Sequence, residues 1–196
     1  MEYIKTKKSL SRSAAYSLIT VLYFAAGFIN ITLAALGLIC MIIPFVLVFR
    51  DRKQTWCNGV CPRAEFLGLT GKFLGAGRKA PGWLLGDKGK RTVLMYFCMN
   101  IMFIMMSTMA VTQGMIDPID RVRFLILFEF PASLPQLLPF DAVSDTLIHF
   151  SYRLYSIMFT STVIGLGMSL YFRPKSWCAI CPVKTMTASV VKGLNP

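Results

Sequence analysis

No charged side chain stands between Ala14 and Phe49. One helix needs about 20 residues to cross the hydrocarbon core of a bilayer, so this run is nearly twice as long as a single span requires. Its polar side chains are Ser17, Thr20, Asn30 and Thr32, apart from tyrosines and Cys40. Gly27 and Asn30 stand near the middle, where a tight turn would fall. The sequence therefore predicts a helical hairpin, with one span from about Ser11 to Ile29 and a second from about Asn30 to Phe49.

Composition agrees with a membrane setting. Hydrophobic residues make up 55% of the 196, and the mean hydropathy is +0.59, too apolar for an ordinary soluble domain. A formal charge of +12 would suit nucleic acid, but the bases sit at the ends of apolar runs, where the positive-inside rule expects them. Nucleic-acid binding is set aside on that ground. Lys5, Lys7 and Lys8 resemble the start of a secretory signal, yet the run from Ala14 is too long for one, and a retained signal-anchor helix is expected.

Two further spans follow, roughly Thr92 to Thr112 and Leu154 to Phe172, which makes four in all. With the first hairpin in place, every one of the 21 Lys and Arg except Arg121, Arg123 and Arg153 falls on the side of the termini and of loop 50–91. That side is assigned to the cytoplasm. Between the third and fourth spans, Glu129, Pro131, Pro135, Gln136 and Pro139 interrupt the outer segment 113–150 too often for it to cross. Asp117-Pro118 reads as a helix start, so an outer interfacial helix is expected from Pro118 to Phe130, with Val122, Leu125 and Ile126 on its apolar side. Ser161, Gly165 and Ser169 form a row of small residues suited to close helix packing.

The fold class is thus an all-α integral membrane protein whose four helices form two hairpin repeats. It is read as a single domain, 1–196. Residues 1–62 hold the first hairpin and its motif, 63–91 an inner basic loop, 92–182 the second hairpin and motif, and 183–196 a short terminal helix. The motifs are Trp56-Cys57-Asn58-Gly59-Val60-Cys61-Pro62-Arg63 and Trp177-Cys178-Ala179-Ile180-Cys181-Pro182-Val183-Lys184. Each follows a long apolar run and a basic boundary. Parallel repeats related by an axis along the membrane normal would bring the two to the same depth.

Proline at a first helical position makes Cys61 and Cys181 the N-caps of new helices. Thiolates there face free amide groups and the positive ends of two helix dipoles, and Arg63 and Lys184 add fixed charge. Trp56 and Trp177 suit a membrane interface and would shield a site from water. Neither motif has a third cysteine or a histidine to complete a site alone, so Cys57, Cys61, Cys178 and Cys181 are expected to share one metal centre. Four cysteines serve zinc as well as iron and sulfur, and cysteine pairs also serve thiol exchange. The proline after the second cysteine, the three-residue first gap and the membrane setting favour an iron–sulfur cluster, with [4Fe–4S] preferred over [2Fe–2S].

At these residues the chain resembles the membrane ferredoxin-type iron–sulfur proteins, which include the nitrous-oxide-reductase regulator, the membrane subunit of periplasmic nitrate reduction and the methylamine-utilisation ferredoxin-type protein. The resemblance covers the four-helix core and both motifs. It implies a cluster at the inner face of a bacterial or archaeal cytoplasmic membrane, with electrons passing between quinone or a membrane partner and another redox protein. Two departures stand out: the second gap has two residues instead of three, and the longer ferredoxin cysteine runs are missing. No acid–base–nucleophile set is visible, so no catalytic residue is assigned, and an electron-transfer subunit is expected before an enzyme.

Two rivals remain, a four-helix quinone-linked thiol–disulfide oxidoreductase and a zinc-bound membrane scaffold. Among lesser candidates, Met95, Met99, Met102, Met106 and Met109 could line a copper(I) path but read better as a packing face. Cys40 and Cys98 read as buried small residues. The glycines of 65–91 lack the spacing of a phosphate loop and read as flexible loop. His149, between Asp145 and Arg153, reads as an interfacial histidine before a quinone ligand.

Overall fold

The computed structural model describes residues 2–125, 128–129, 136–137 and 143–194, with the side chains of residues 2–12 outside that description. It is mainly helical. Three helices are long and apolar enough to cross a membrane: Ile31–Asp51, Asp87–Thr112 and Asp145–Tyr171, with Ser13–Ile29 a shorter apolar helix.

Helix α1 (Glu2–Ile29) stops at Asn30, whose extended backbone and side-chain oxygen cap a short 3₁₀ helix, Ile31–Leu36, before α2 (Gly37–Asp51). Tyr23 donates its hydroxyl to the carbonyl of Ala34 at 3.0 Å. In a continuous helix, residues 23 and 34 would stand about 16 Å apart along the axis, so the helix is broken at Asn30, where the sequence places the interruption. α3 (Pro62–Leu74), α4 (Gly82–Leu85), α5 (Asp87–Thr112), α6 (Asp145–Tyr171), α7 (Ser176–Ile180) and α8 (Pro182–Leu194) complete the helices. The expected third and fourth spans are α5 and α6, each starting earlier than the hydropathy suggested.

The structure divides into two compact units. The first comprises Met1–Leu22, Met41–Leu94 and Thr162–Pro196. Its core is Leu67, Trp177 and Ile180, with Phe66, Leu84, Ile164 and Met168 packed around them. Close backbone approach requires glycine here: a Cβ on Gly71 would stand 2.9 Å from the carbonyl oxygen of Ser169 and 3.0 Å from Cα of Pro174. Gly68 and Gly71 are buried in α3, so these glycines serve helix packing and not a flexible loop.

The second unit comprises Tyr23–Cys40 and Met95–Ser161. Ile31, Ala34, Val122, Tyr152 and Tyr155 form its core, with Tyr23, Phe24 and Phe159 adding ring contacts. Among the described residues of 118–130 the expected outer helix is not formed. In its place strands β1 (Arg123–Phe124) and β2 (Phe128–Glu129) pair antiparallel, Arg123 opposite Glu129, and Leu125 turns with φ 53°; Ile126 and Phe130 lie outside the described residues. The cause is α6. The amides of Arg123 and Leu125 donate to the hydroxyls of Ser156 (3.0 Å) and Thr160 (3.2 Å). Two residues of extended chain advance about 6.6 Å and four residues of helix about 6 Å, so the two amides meet hydroxyls one turn apart because Arg123–Phe124 is extended.

The methionines also differ from expectation. Met95, Met99, Met102, Met106 and Met109 are all exposed, so this face of α5 is not packed within the chain. Cys98 is exposed beside them, while Cys40 is half-buried.

Candidate metal centre

Each cysteine pair is set by a short turn running into a proline-started helix. In the first motif Trp56–Val60 forms a π turn, closed by the amide of Cys61 donating to the carbonyl of Trp56 at 3.0 Å. In the second, Ser176–Ile180 forms the ordinary α turn of α7. A π turn spans one residue more than an α turn. The extra residue of the first gap is thereby absorbed, and the two second cysteines arrive in the same backbone conformation: Cys61 has φ −64° and ψ 111°, Cys181 φ −57° and ψ 126°.

From there the two sides match. Pro62 and Pro182 open α3 and α8, each 13 residues long. The carbonyl of Cys61 accepts from the amide of Glu65 at 3.2 Å, and that of Cys181 from the amide of Thr185 at 3.0 Å. Cys61 and Cys181 therefore occupy the predicted N-cap positions. The amides of Arg63, Ala64, Val183 and Lys184 precede the first helical hydrogen bonds and point towards the helix starts.

All four motif cysteines are half-buried free thiols of the first unit. Contacts link the motifs to each other. Arg63 reaches from α3 to the opposite motif, its Nη2 donating to Sγ of Cys181 at 3.7 Å. Burial, reinforced by the thiols of Cys181 and then Cys61, pushes Cys57 up to about 11, against the Thr187 hydroxyl and the charge of Lys184. Cys178 is likewise pushed up to about 11 by burial and by Cys181 and Cys61, against Arg63 and Lys184. Thus Cys57 and Cys178 each feel thiols of both motifs. Gln54 donates to the carbonyl of Lys184 at 3.3 Å, a further tie between the two sides.

A clamp behind the thiols fixes the spacing. Glu65 accepts from Lys175 Nζ and from Ser13 Oγ, both at 2.6 Å. Lys175 caps α7 in the left-handed conformation, φ 63°. Burial raises Glu65, but the Lys175 and Ser13 hydrogen bonds and the Lys175 charge outweigh it and leave the carboxyl below its ordinary 4.5. Trp177 is buried against the small-residue row of α6, where a Cβ on Gly165 would stand 3.1 Å from its ring. Trp56 is only half-buried. Sequence reasoning missed Glu65, Lys175 and Thr187; an acid one turn into a basic helix was the available signal for the first.

Among the described residues, no three of His, Cys, Asp and Glu stand close enough to share a single metal ion. The chemistry of the donors, four cysteine sulfurs beside two helix starts and the cations Arg63 and Lys184, suits a negatively charged iron–sulfur cluster.

His149 is buried within the chain and lies in the second unit. Its Nδ1 accepts from the amide of Ile119 at 3.2 Å, which leaves Nε2 to face the Ser107 hydroxyl at 3.1 Å. Both ring nitrogens are thus engaged by the chain itself, which makes this a satisfied histidine.

Residues 33–81 and 156–193 match the family model of a 4Fe-4S binding domain. Each matched stretch carries one cysteine pair, and together they cover less than half of the chain. No curated protein and no solved structure gives a significant match. The cofactor indicated by the family model is a 4Fe–4S cluster.

Proposed function

We propose that this chain is a ferredoxin-type iron–sulfur protein that holds one 4Fe–4S cluster through Cys57, Cys61, Cys178 and Cys181 and relays electrons at the inner face of a bacterial or archaeal cytoplasmic membrane. The observation that carries the reading is Arg63, two residues beyond Cys61, donating to the thiol of Cys181. A cation aimed at the other motif's sulfur makes sense where both motifs serve one negatively charged group. When bound, such a cluster supplies one-electron oxidation and reduction.

The chain's own residues do the rest. The four thiolates hold the group, and the first amides of α3 and α8 with Arg63 and Lys184 favour its more negative state, which raises its potential. The thiols of Cys57 and Cys178 must lose protons on loading. Trp177, buried behind the second pair, keeps water from that side, and the Glu65–Lys175 clamp holds α3 against the start of α7.

α1 is taken as a fourth span, because the turn at Asn30 returns the basic N-terminal side to that of loop 50–91 and the C-terminus. Both termini and all four motif cysteines then face the cytoplasm. A cluster confined to one face cannot carry electrons across, so the partners are a membrane redox protein or quinone on one hand and another redox protein on the other.

Anaerobic purification with iron, sulfide and zinc analysis, joined to EPR of the reduced protein, tests the cofactor. Iron and acid-labile sulfide in equal amounts, with a visible band that bleaches on reduction, are expected. Stoichiometric zinc, or a colourless protein with a reversible disulfide, would replace this reading with one of its rivals. Membrane-impermeant thiol reagents applied to intact cells should miss all four cysteines in the metal-free protein, and ready labelling of Cys57 or Cys178 from outside would reverse the topology.

A further inference from the structure

Between Thr92 and Phe172 the chain has three basic residues, Arg121, Arg123 and Arg153, and two of them line one cavity. Arg123, Arg153, Asn100, Phe103, Ser156 and Thr160 form most of its wall. Arg153 projects from α6, a helix apolar enough to cross a membrane, and is only 8% exposed. Its guanidinium lies over the Phe103 ring, 4.7 Å from the centroid, and its Nε is buried without a hydrogen-bond partner. Arg123 pairs with Glu129, and its Nε too is buried and unpartnered.

Among the described residues, one carboxylate thus answers two guanidinium groups. The Phe103 ring offsets part of the remaining charge. Yet a buried arginine inside an apolar helix bundle is strongly unfavourable unless a negative group joins it, and such residues mark binding sites by default.

We propose that this cavity binds one small oxyanion of the phosphate class, held between Arg153 and Arg123. The guanidinium fork matches phosphate oxygens in geometry, and each unspent Nε–H is a donor such an oxygen would take. A neutral carbonyl would use the donors but leave the charge uncompensated. Phosphate can arrive as the headgroup of a membrane lipid or as the free inorganic ion, and both present the same oxygens. The site lies wholly in the second unit and uses none of the motif cysteines, so it stands or falls separately from the cluster.

Two measurements on purified, cluster-loaded protein separate the sources. Phospholipid phosphorus retained per chain is counted first, and binding of radiolabelled inorganic phosphate by the delipidated protein is then followed by equilibrium dialysis. Both are run on the wild type, Arg153→Gln and Arg153→Lys, with the circular-dichroism spectrum and thermal melt reporting that the fold persists. A single bound phosphate is expected, weakened about tenfold or more in Arg153→Gln and partly kept in Arg153→Lys. Retained phospholipid that Arg153→Gln sheds identifies a headgroup; saturable dialysis binding that it loses identifies the free ion. Neither signal in spectrally intact wild type, or equal binding by Arg153→Gln, would overturn the proposal.

Discussion

Replacing Arg63 by methionine removes a positive charge whose Nη2 stands 3.7 Å from Cys181 Sγ. At that distance two unit charges interact by roughly 1 kcal/mol in water and by roughly 4 kcal/mol at an effective dielectric constant near 20. The electron added on reduction is shared over a whole cluster and Arg63 is half-buried, so the lower part of that range applies, roughly 1–2 kcal/mol. For a one-electron couple this converts to roughly 40–80 mV. A cation favours the more negative, reduced state, and its loss must lower the midpoint. EPR-monitored redox titration of anaerobically prepared protein, compared at equal iron content, reads the shift. Arg63→Lys keeps the charge and should shift less. An unchanged midpoint in fully loaded Arg63→Met would refute the placement of this side chain against the cluster.

Gly71→Ala should lower thermal stability by about 1–3 kcal/mol and speed iron loss to a chelator, because the new Cβ meets the backbone of Ser169 and Pro174, which has no rotamer to yield. Glu65 has a folded-state pKa below its ordinary 4.5, so the stability it contributes is full above that value and is lost as the pH falls through the lower, folded one. The melting-temperature gap between wild type and Glu65→Gln should therefore be widest near neutrality and close in acid; a gap that widened in acid would contradict the clamp. Ser156→Ala joined to Thr160→Val strips the acceptors from two amides, at about 1–3 kcal/mol each, and hydrogen exchange should accelerate at Arg123 and Leu125.

What was legible in the sequence was set by local chemistry. Asn30 breaks the first apolar run because its side chain caps the next turn, and Cys-Pro starts a helix because proline suits the first helical position. What was not legible depended on distant partners. Val122 to Leu125 carry a plausible helical face, but hydroxyls on α6, more than thirty positions away, take the amides of Arg123 and Leu125 and hold Arg123–Phe124 extended. The unequal cysteine gaps read as a departure until the π turn at Trp56–Val60 brought Cys61 and Cys181 to the same conformation. His149 was paired on paper with Asp145 and Arg153, its helical neighbours, whereas Ile119 and Ser107 engage it from other parts of the chain. Arg63 reads in the sequence as fixed charge at a helix start, and that it reaches the thiol of the other motif depends on how α3 and α8 pack.

The central claim, one cluster shared by two motifs, is tested most directly by removing one motif's ligands. In the Cys57→Ser, Cys61→Ser double variant, iron per chain and the EPR of the reduced protein should both fall to background, because Cys178 and Cys181 alone leave a cluster two ligands short. The matching Cys178→Ser, Cys181→Ser variant should lose the cluster equally, while Cys40→Ser and Cys98→Ser keep the wild-type spectrum. A native-like EPR signal with undiminished iron in either double variant would contradict shared ligation.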